Sequence, residues 1–266
     1  MTKSKWLFLL FVALLAGLVW LARAGDDRLE LGSREPFAKG SYHAFAQPWG
    51  AQESRLVRYW APFADKIDVD AARFPNNTRF RFTWPLWRPS SSTAGVWGYS
   101  MLSFGNYDGG EGETKIPPRR VFELLDLSQR FSWSSSMALG DANLLTEFYL
   151  RSDPNNSESK LIEVGWFLHA PPATAAFVRG AQQIGRFTDA SGKAWQVARD
   201  EKYVMFLPAD AQDVRTGTID MRAALQWLQE KRVIGGDEWF TGVAIGVEPL
   251  RGRGQVQIDR WAVTYR

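Results

Sequence analysis

The sequence predicts an all-β fold, a two-sheet β-jelly roll that carries one α-helix, on three observations. Short runs alternate apolar with polar or small residues, clusters of turn formers separate those runs, and a single segment has apolar residues at helical spacing. Many short strands with one apolar face each bury those faces most simply by packing two sheets together.

In chain order, Lys3 and Lys5 precede an apolar run from Trp6 to Ala22, and Ala22-Arg23-Ala24 follows as a small-x-small site. Residues 1–24 therefore read as an export signal. The run of about 17 residues is long for a signal core and short for a span, which leaves two alternatives, a cleaved signal peptide or a retained inner-membrane anchor. Either one puts the rest of the chain in a periplasm or outside the cell, and the absence of Cys fits an exported bacterial domain. Residues 25–40 are charged and aperiodic and read as a linker; 41–266 read as the domain.

Within the domain, Arg79 to Trp87, Asn143 to Leu150 and Leu161 to Leu168 alternate as strands, with turns at Asp153 to Ser157 and Asp189 to Gly192. Thr218 to Arg232 is the expected helix, with Asp220 as N-cap and Gly235-Gly236 as the stop. A late strand runs into Gly246-Val247-Glu248-Pro249-Leu250. Its Val243, Ile245 and Val247 share one face, while Ala244, Gly246 and Glu248 share the other. Small residues beside an acid leave room for something large to approach it.

Composition limits the chemistry. At 266 residues and 45% hydrophobic the chain suffices for one large domain. The net charge of +3 comes from 32 basic and 29 acidic residues interspersed along the chain, so no basic stripe argues for nucleic acid. The lack of Cys removes thiol nucleophiles and thiolate metal sites, and His43 and His169 alone argue against a zinc centre. The loop from Asn106 to Glu113 is acidic and Gly-rich but lacks EF-hand spacing, and it is expected as a mobile cleft rim rather than a calcium site. No metal or cofactor is expected, and a monomer is. The 13 Trp supply flat apolar faces of the kind that stack on sugars.

Alternation also isolates other acids. Glu163, Gly165 and Phe167 face away from the apolar set Ile162, Val164, Trp166 and Leu168, and Leu145, Glu147 and Tyr149 do the same on their strand. A lone Glu among Gly, Phe and Tyr suits a cleft better than a solvated face. Paired cleft carboxylates, one ionised and one protonated, are what glycosidic bond cleavage uses.

These residues resemble the family 12 glycoside hydrolases. The family pattern G-T-E-P-F is matched by Gly246-Val247-Glu248-Pro249-Leu250, E-[IL]-M-I-W by Glu163-Val164-Gly165-Trp166, N-V-A-Y-D-L-F by the strand holding Glu147, and N-x-W-G-A by Gln47-Pro48-Trp49-Gly50-Ala51. The resemblance implies a retaining, endo-acting enzyme on β-1,4-glucan-type polysaccharide. In it Glu163 would be the nucleophile, Glu248 the general acid/base and Glu147 the partner that orients Glu163, with Glu163 and Glu248 projecting from neighbouring strands. Trp49, Trp133 and Trp166 are the substrate-binding candidates. Trp166 comes three residues after Glu163 where the family Trp comes four after, so it needs a bulge to reach the cleft. The alternative from another class is a glycan-binding jelly roll without catalysis.

Overall fold

The computed structural model describes residues 28–54, 57, 63–89, 95–110 and 112–266. The expected export segment 1–24 lies outside them. Among the described residues no helix is long and apolar enough to cross a membrane.

The strands are β1 (Leu29–Leu31), β2 (Phe37–Lys39), β3 (Tyr42–Gln47), β4 (Ala64–Val69), β5 (Thr78–Thr83), β6 (Tyr99–Gly105) and β7 (Arg119–Arg120). Then come β8 (Leu127–Arg151), β9 (Lys160–His169), β10 (Gln182–Thr188), β11 (Ala194–Asp200), β12 (Tyr203–Pro208), β13 (Thr216–Asp220), β14 (Trp239–Phe240) and β15 (Gly242–Tyr265). Helices α1 (Trp49–Glu53), α2 (Pro172–Gly180) and α3 (Met221–Glu230) interrupt them. The expected helix is α3, and the Asp220 side chain accepts from Ala223 N at 2.9 Å as its cap. Helices α1 and α2 have no counterpart in the sequence expectation.

Two strands make the fold a jelly roll. A straight strand with the 25 residues of β8 would run roughly 80 Å. Yet Gln129 Nε2 donates to Thr146 Oγ1 at 2.9 Å, so β8 doubles over on itself. The corner sits at Gly140, which pairs with Gly252 of β15, and both have positive φ, 102° and 78°. A Cβ on Gly140 would stand 2.2 Å from the Arg251 carbonyl oxygen, and one on Gly252 2.0 Å from that of Leu139. Only glycine allows both the backbone angle and the approach. Register shifts on either side of Gly252 absorb the extra residues of the bend.

The corner divides the hydrogen-bonded strands into two layers. The early half of β8 and the late half of β15 pair with β13 and with β5, β4 and β1. The late half of β8 and the early half of β15 pair with β9, β12, β11 and β10 on one side and with β6, β3 and β2 on the other. Phe131, Phe148, Val247, Ile258 and Trp261 fill the space between the layers, and Leu225 and Leu228 of α3 close it.

Three expectations are corrected here. The segment 25–40 is not merely a linker, because β1 and β2 lie in it. Glu30 of β1 bonds to Lys66 and Arg81, and such charged edge positions hide the apolar alternation. Trp166 is fully buried and stacks on Phe206 at 4.5 Å. No bulge interrupts β9 between Glu163 and Trp166, so alternation sends the indole into the core. Trp133 belongs to the early half of β8, in the layer away from the acids. Its Nε1 donates to Val214 O at 2.8 Å, and Arg215 covers its ring at 4.7 Å.

Gly140→Ala is expected to destabilise the domain by more than the ~1–3 kcal/mol of a strained φ alone, because the methyl also meets a carbonyl. Thermal unfolding measures it; an unchanged Tm would show that the corner tolerates a side chain.

Candidate active site

The acids converge on the outer face of the second layer. Glu147 lies on β8 opposite Ala244 of β15 and opposite Gly165 of β9. Glu248 lies opposite Asn143, and Glu163 opposite Tyr149. The sequence expected Glu163 and Glu248 on neighbouring strands; β8 instead runs between β9 and β15, because both pair with it. Parity along each strand still puts all three carboxyls on one face, and they line one cleft together with Trp49 and Gln47. Trp49 opens α1 directly after β3, which carries the indole to the cleft wall.

The room left by the small residues is taken by the protein's own tyrosines. A Cβ on Gly165 would stand 2.5 Å from the Tyr203 hydroxyl, and one on Gly246 2.7 Å from the Tyr99 ring. Tyr203 Oη donates to Glu147 Oε2 at 3.3 Å, and Tyr107 Oη donates to Glu147 Oε1 at 2.5 Å. Tyr149 stacks on Tyr107 with centroids 5.1 Å apart. Burial and the neighbouring carboxylates hold Tyr99, Tyr107 and Tyr203 well above the usual phenol range, so their hydroxyls stay donors.

Burial dominates the acids as well. It pushes Glu147 well above the usual carboxylate range, and the charge of Glu163 adds to it. Glu147 is therefore the protonated member and shares its hydrogen bond with Glu163. Burial raises Glu163 to about 7, against the lowering effect of that bond and of Lys160 and with the raising effect of Glu248. Burial raises Glu248 to about 8, with Glu147 adding to it and the Asn143 hydrogen bond opposing. Asn143 Nδ2 donates to Glu248 Oε2 at 2.9 Å, while its Oδ1 accepts from Thr174 Oγ1 of α2 at 2.7 Å, which fixes the amide with its nitrogen toward the acid. Burial thus holds both Glu163 and Glu248 above the usual carboxylate range, so that each titrates near neutrality.

The loop after β6, expected as a mobile rim, makes several contacts through its described residues. Glu113 accepts from the backbone N–H of Asp108 at 3.0 Å and of Gly109 at 2.9 Å. The buried Arg151 donates to the Tyr107 carbonyl at 2.6 Å, and Lys160 pairs with Asp108 while lying 4.2 Å over the Tyr149 ring. Among the described residues no group of three or more His, Asp or Glu could hold a metal ion. His169 bonds to Asp213 at 2.7 Å and meets the edge of Trp133, a structural position.

Sequence reasoning missed Asn143, Tyr99, Tyr107 and Tyr203. Asn143 shares parity with Glu147 and was within reach of the alternation argument. Tyr107 arrives from a loop and Tyr203 from a strand parallel to β9, and no local pattern points from either toward the acids.

No protein-family model matches the chain, and no curated protein matches it in sequence. Solved structures do match. A family 12 xyloglucanase from Bacillus licheniformis superposes with a TM-score of 0.69 at 18% identity, covering 90% of this chain and 100% of that one. Endoglucanase 3 from family GH12 of Trichoderma harzianum gives 0.68 at 16% identity over 90% of this chain and 98% of that one. Endoglucanase Cel12A of Rhodothermus marinus gives 0.66 at 18% identity over 90% and 100%. The protein has the β-jelly-roll fold of these family 12 glycoside hydrolases.

Proposed function

We propose that the protein is an exported, retaining, endo-acting glycoside hydrolase for β-1,4-glucan-type polysaccharide, a family 12 enzyme. One observation carries the reading: the carboxyls of Glu147, Glu163 and Glu248 line one cleft together with Trp49, and the buried Glu147 is hydrogen-bonded to Glu163. Relatives in fold are described as cellulases and xyloglucanases, and one was solved with cellobiose. The apolar segment 1–24 supports export, with cleavage or anchoring both open to N-terminal analysis, and the domain is expected to act as a monomer.

A carboxylate oxygen of Glu163 attacks the anomeric carbon and forms an ester bond as the glycosidic bond breaks. The electron pair of that bond goes to the leaving oxygen, which takes the proton of Glu248. Glu248, now ionised, removes a proton from water; the water oxygen attacks the anomeric carbon, and the ester electron pair returns to Glu163. An inverting base needs room for water between itself and the sugar. Glu163 is hydrogen-bonded to Glu147, the anomer of the product separates the two courses, and Trp49 supplies a stacking face.

Glu248→Gln is expected to lower kcat by ~10²–10⁴, and Glu163→Gln by at least as much, while both keep glycan binding. A wild type that binds glycan without turnover would favour the glycan-binding alternative, and wild-type turnover retained in either variant would overturn the role assigned to that residue. Proton NMR of the first-formed anomer on a soluble β-glucan tests retention, and an inverted product overturns the nucleophile role.

The pH profile of kcat/KM is expected to be a narrow bell. It falls below about 7 as Glu163 takes up a proton and above about 8 as Glu248 loses one. An optimum near pH 5 contradicts that assignment.

Stability carries the same signature. The folded-state pKa of Glu147 is raised, so its contribution is fully present below the unfolded value of 4.5 and is lost as pH rises toward the folded value. Glu147→Gln is therefore expected to raise Tm at pH 8, by ~2–4 °C per kcal/mol relieved, and to leave it unchanged at pH 4. Equal shifts at the two pH values would show that burial of the acid is not the cause.

A further inference from the structure

Glu147 is gripped from two sides by groups that the proposed reaction does not require. Tyr203 stands opposite Glu163 in the parallel β9–β12 pairing, yet its hydroxyl reaches Glu147. It passes over Gly165, the residue directly across from Glu147, where a Cβ would lie 2.5 Å from that hydroxyl and 2.9 Å from the ring. A side chain at 165 closes this path. On the other side Tyr107 reaches Oε1 from its loop, held by Arg151 through the carbonyl and by its stack on Tyr149. With one tyrosine hydroxyl on each oxygen, the Glu147 carboxyl cannot rotate without losing both.

We propose that Tyr203 and Tyr107 are positioning residues for the nucleophile: they cradle the Glu147 carboxyl so that its proton points to Glu163, and Gly165 is the gap that admits Tyr203. The inference rests on the reading of Glu163 as the nucleophile. The groups that face Glu147 are Glu163 with Lys160 from β9, Tyr203 from β12, Glu248 from β15, Tyr99 from β6, Tyr149 on its own strand, and Tyr107 and Asp108 from the loop. Glu147 and Glu163 share one proton, so the species that the hydroxyls stabilise is the monoanion of the pair. Each hydroxyl therefore lowers the pH at which the pair releases its first proton. Removing one raises that pH.

The test compares Tyr203→Phe, Gly165→Ala and the double variant. Its two readouts are the pH profile of kcat/KM on soluble β-glucan and the carboxyl titration of ¹³C-labelled Glu by NMR, with circular dichroism to establish that each variant is folded. In Tyr203→Phe the acid limb is expected to move up by roughly half a unit to one unit, the worth of one hydrogen bond, with kcat reduced severalfold and KM within about twofold. In Gly165→Ala the methyl displaces the hydroxyl and gives the same shift, and the double variant shifts no further than either single one. An acid limb that stays in place in Tyr203→Phe by both readouts overturns the proposal, as does a further shift on adding Gly165→Ala. The titration needs no turnover. A wild type that cleaves no glycan while its carboxyls move as stated therefore overturns the hydrolase reading and leaves the cradle supported.

Discussion

The molecule is organised around one backbone constraint, the paired corner at Gly140 and Gly252. Two of its longest strands fold over at the same place, carbonyl against α-carbon, at a distance that no Cβ tolerates. That corner turns a continuous ladder into two facing layers and sets which residues lie between them. It also fixes the outer face of the second layer, where β15, β8 and β9 run side by side. The acids are on that face because each strand keeps its parity from the corner onward. A one-residue slip at the bend would turn Glu147 and Glu248 inward.

The cleft is arranged to hold charge where charge is costly. Three carboxyls share a small space walled by aromatic rings, and burial raises all of them. The surrounding donors divide the cost unequally. Glu163 gains from the proton of Glu147 and from the nearby Lys160 charge, whereas Glu248 has one amide donor, oriented by Thr174. What distinguishes the two is therefore their neighbours rather than the residue type, which is Glu in both cases. The same crowding stores instability in the folded state, as sites built for chemistry commonly do.

The glycines of the cleft illustrate how a correct local reading can name the wrong occupant. Gly165 and Gly246 were legible as room beside acids. That room is filled from within, by Tyr203 and Tyr99, whose rings come from strands far away in the sequence. Trp166 shows the opposite case. Its family counterpart lies one position further along, and that single offset in a regular strand moved an indole from the expected cleft to the core, where it stacks on Phe206. Trp133 was expected among the substrate-binding residues, but it sits on the far side of the corner from the acids.

The sequence by itself determined the features that period and local chemistry dictate: strands of alternating pattern, the capped helix at Asp220, and the parity that puts Glu147, Glu163 and Glu248 on faces opposite the core. These are properties of adjacent residues, and side chains two apart in a strand share a face whatever the strand packs against. Tertiary structure alone decided that β8 lies between β9 and β15, that β1 and β2 form within the segment 25–40, and that Tyr107 and Tyr203 close on the two oxygens of Glu147. Those outcomes depend on which strands become neighbours and on what enters the spaces between them. Pairing partners are chosen by the global burial of apolar faces and by where glycine permits a corner, and neither is written in any local stretch of the chain.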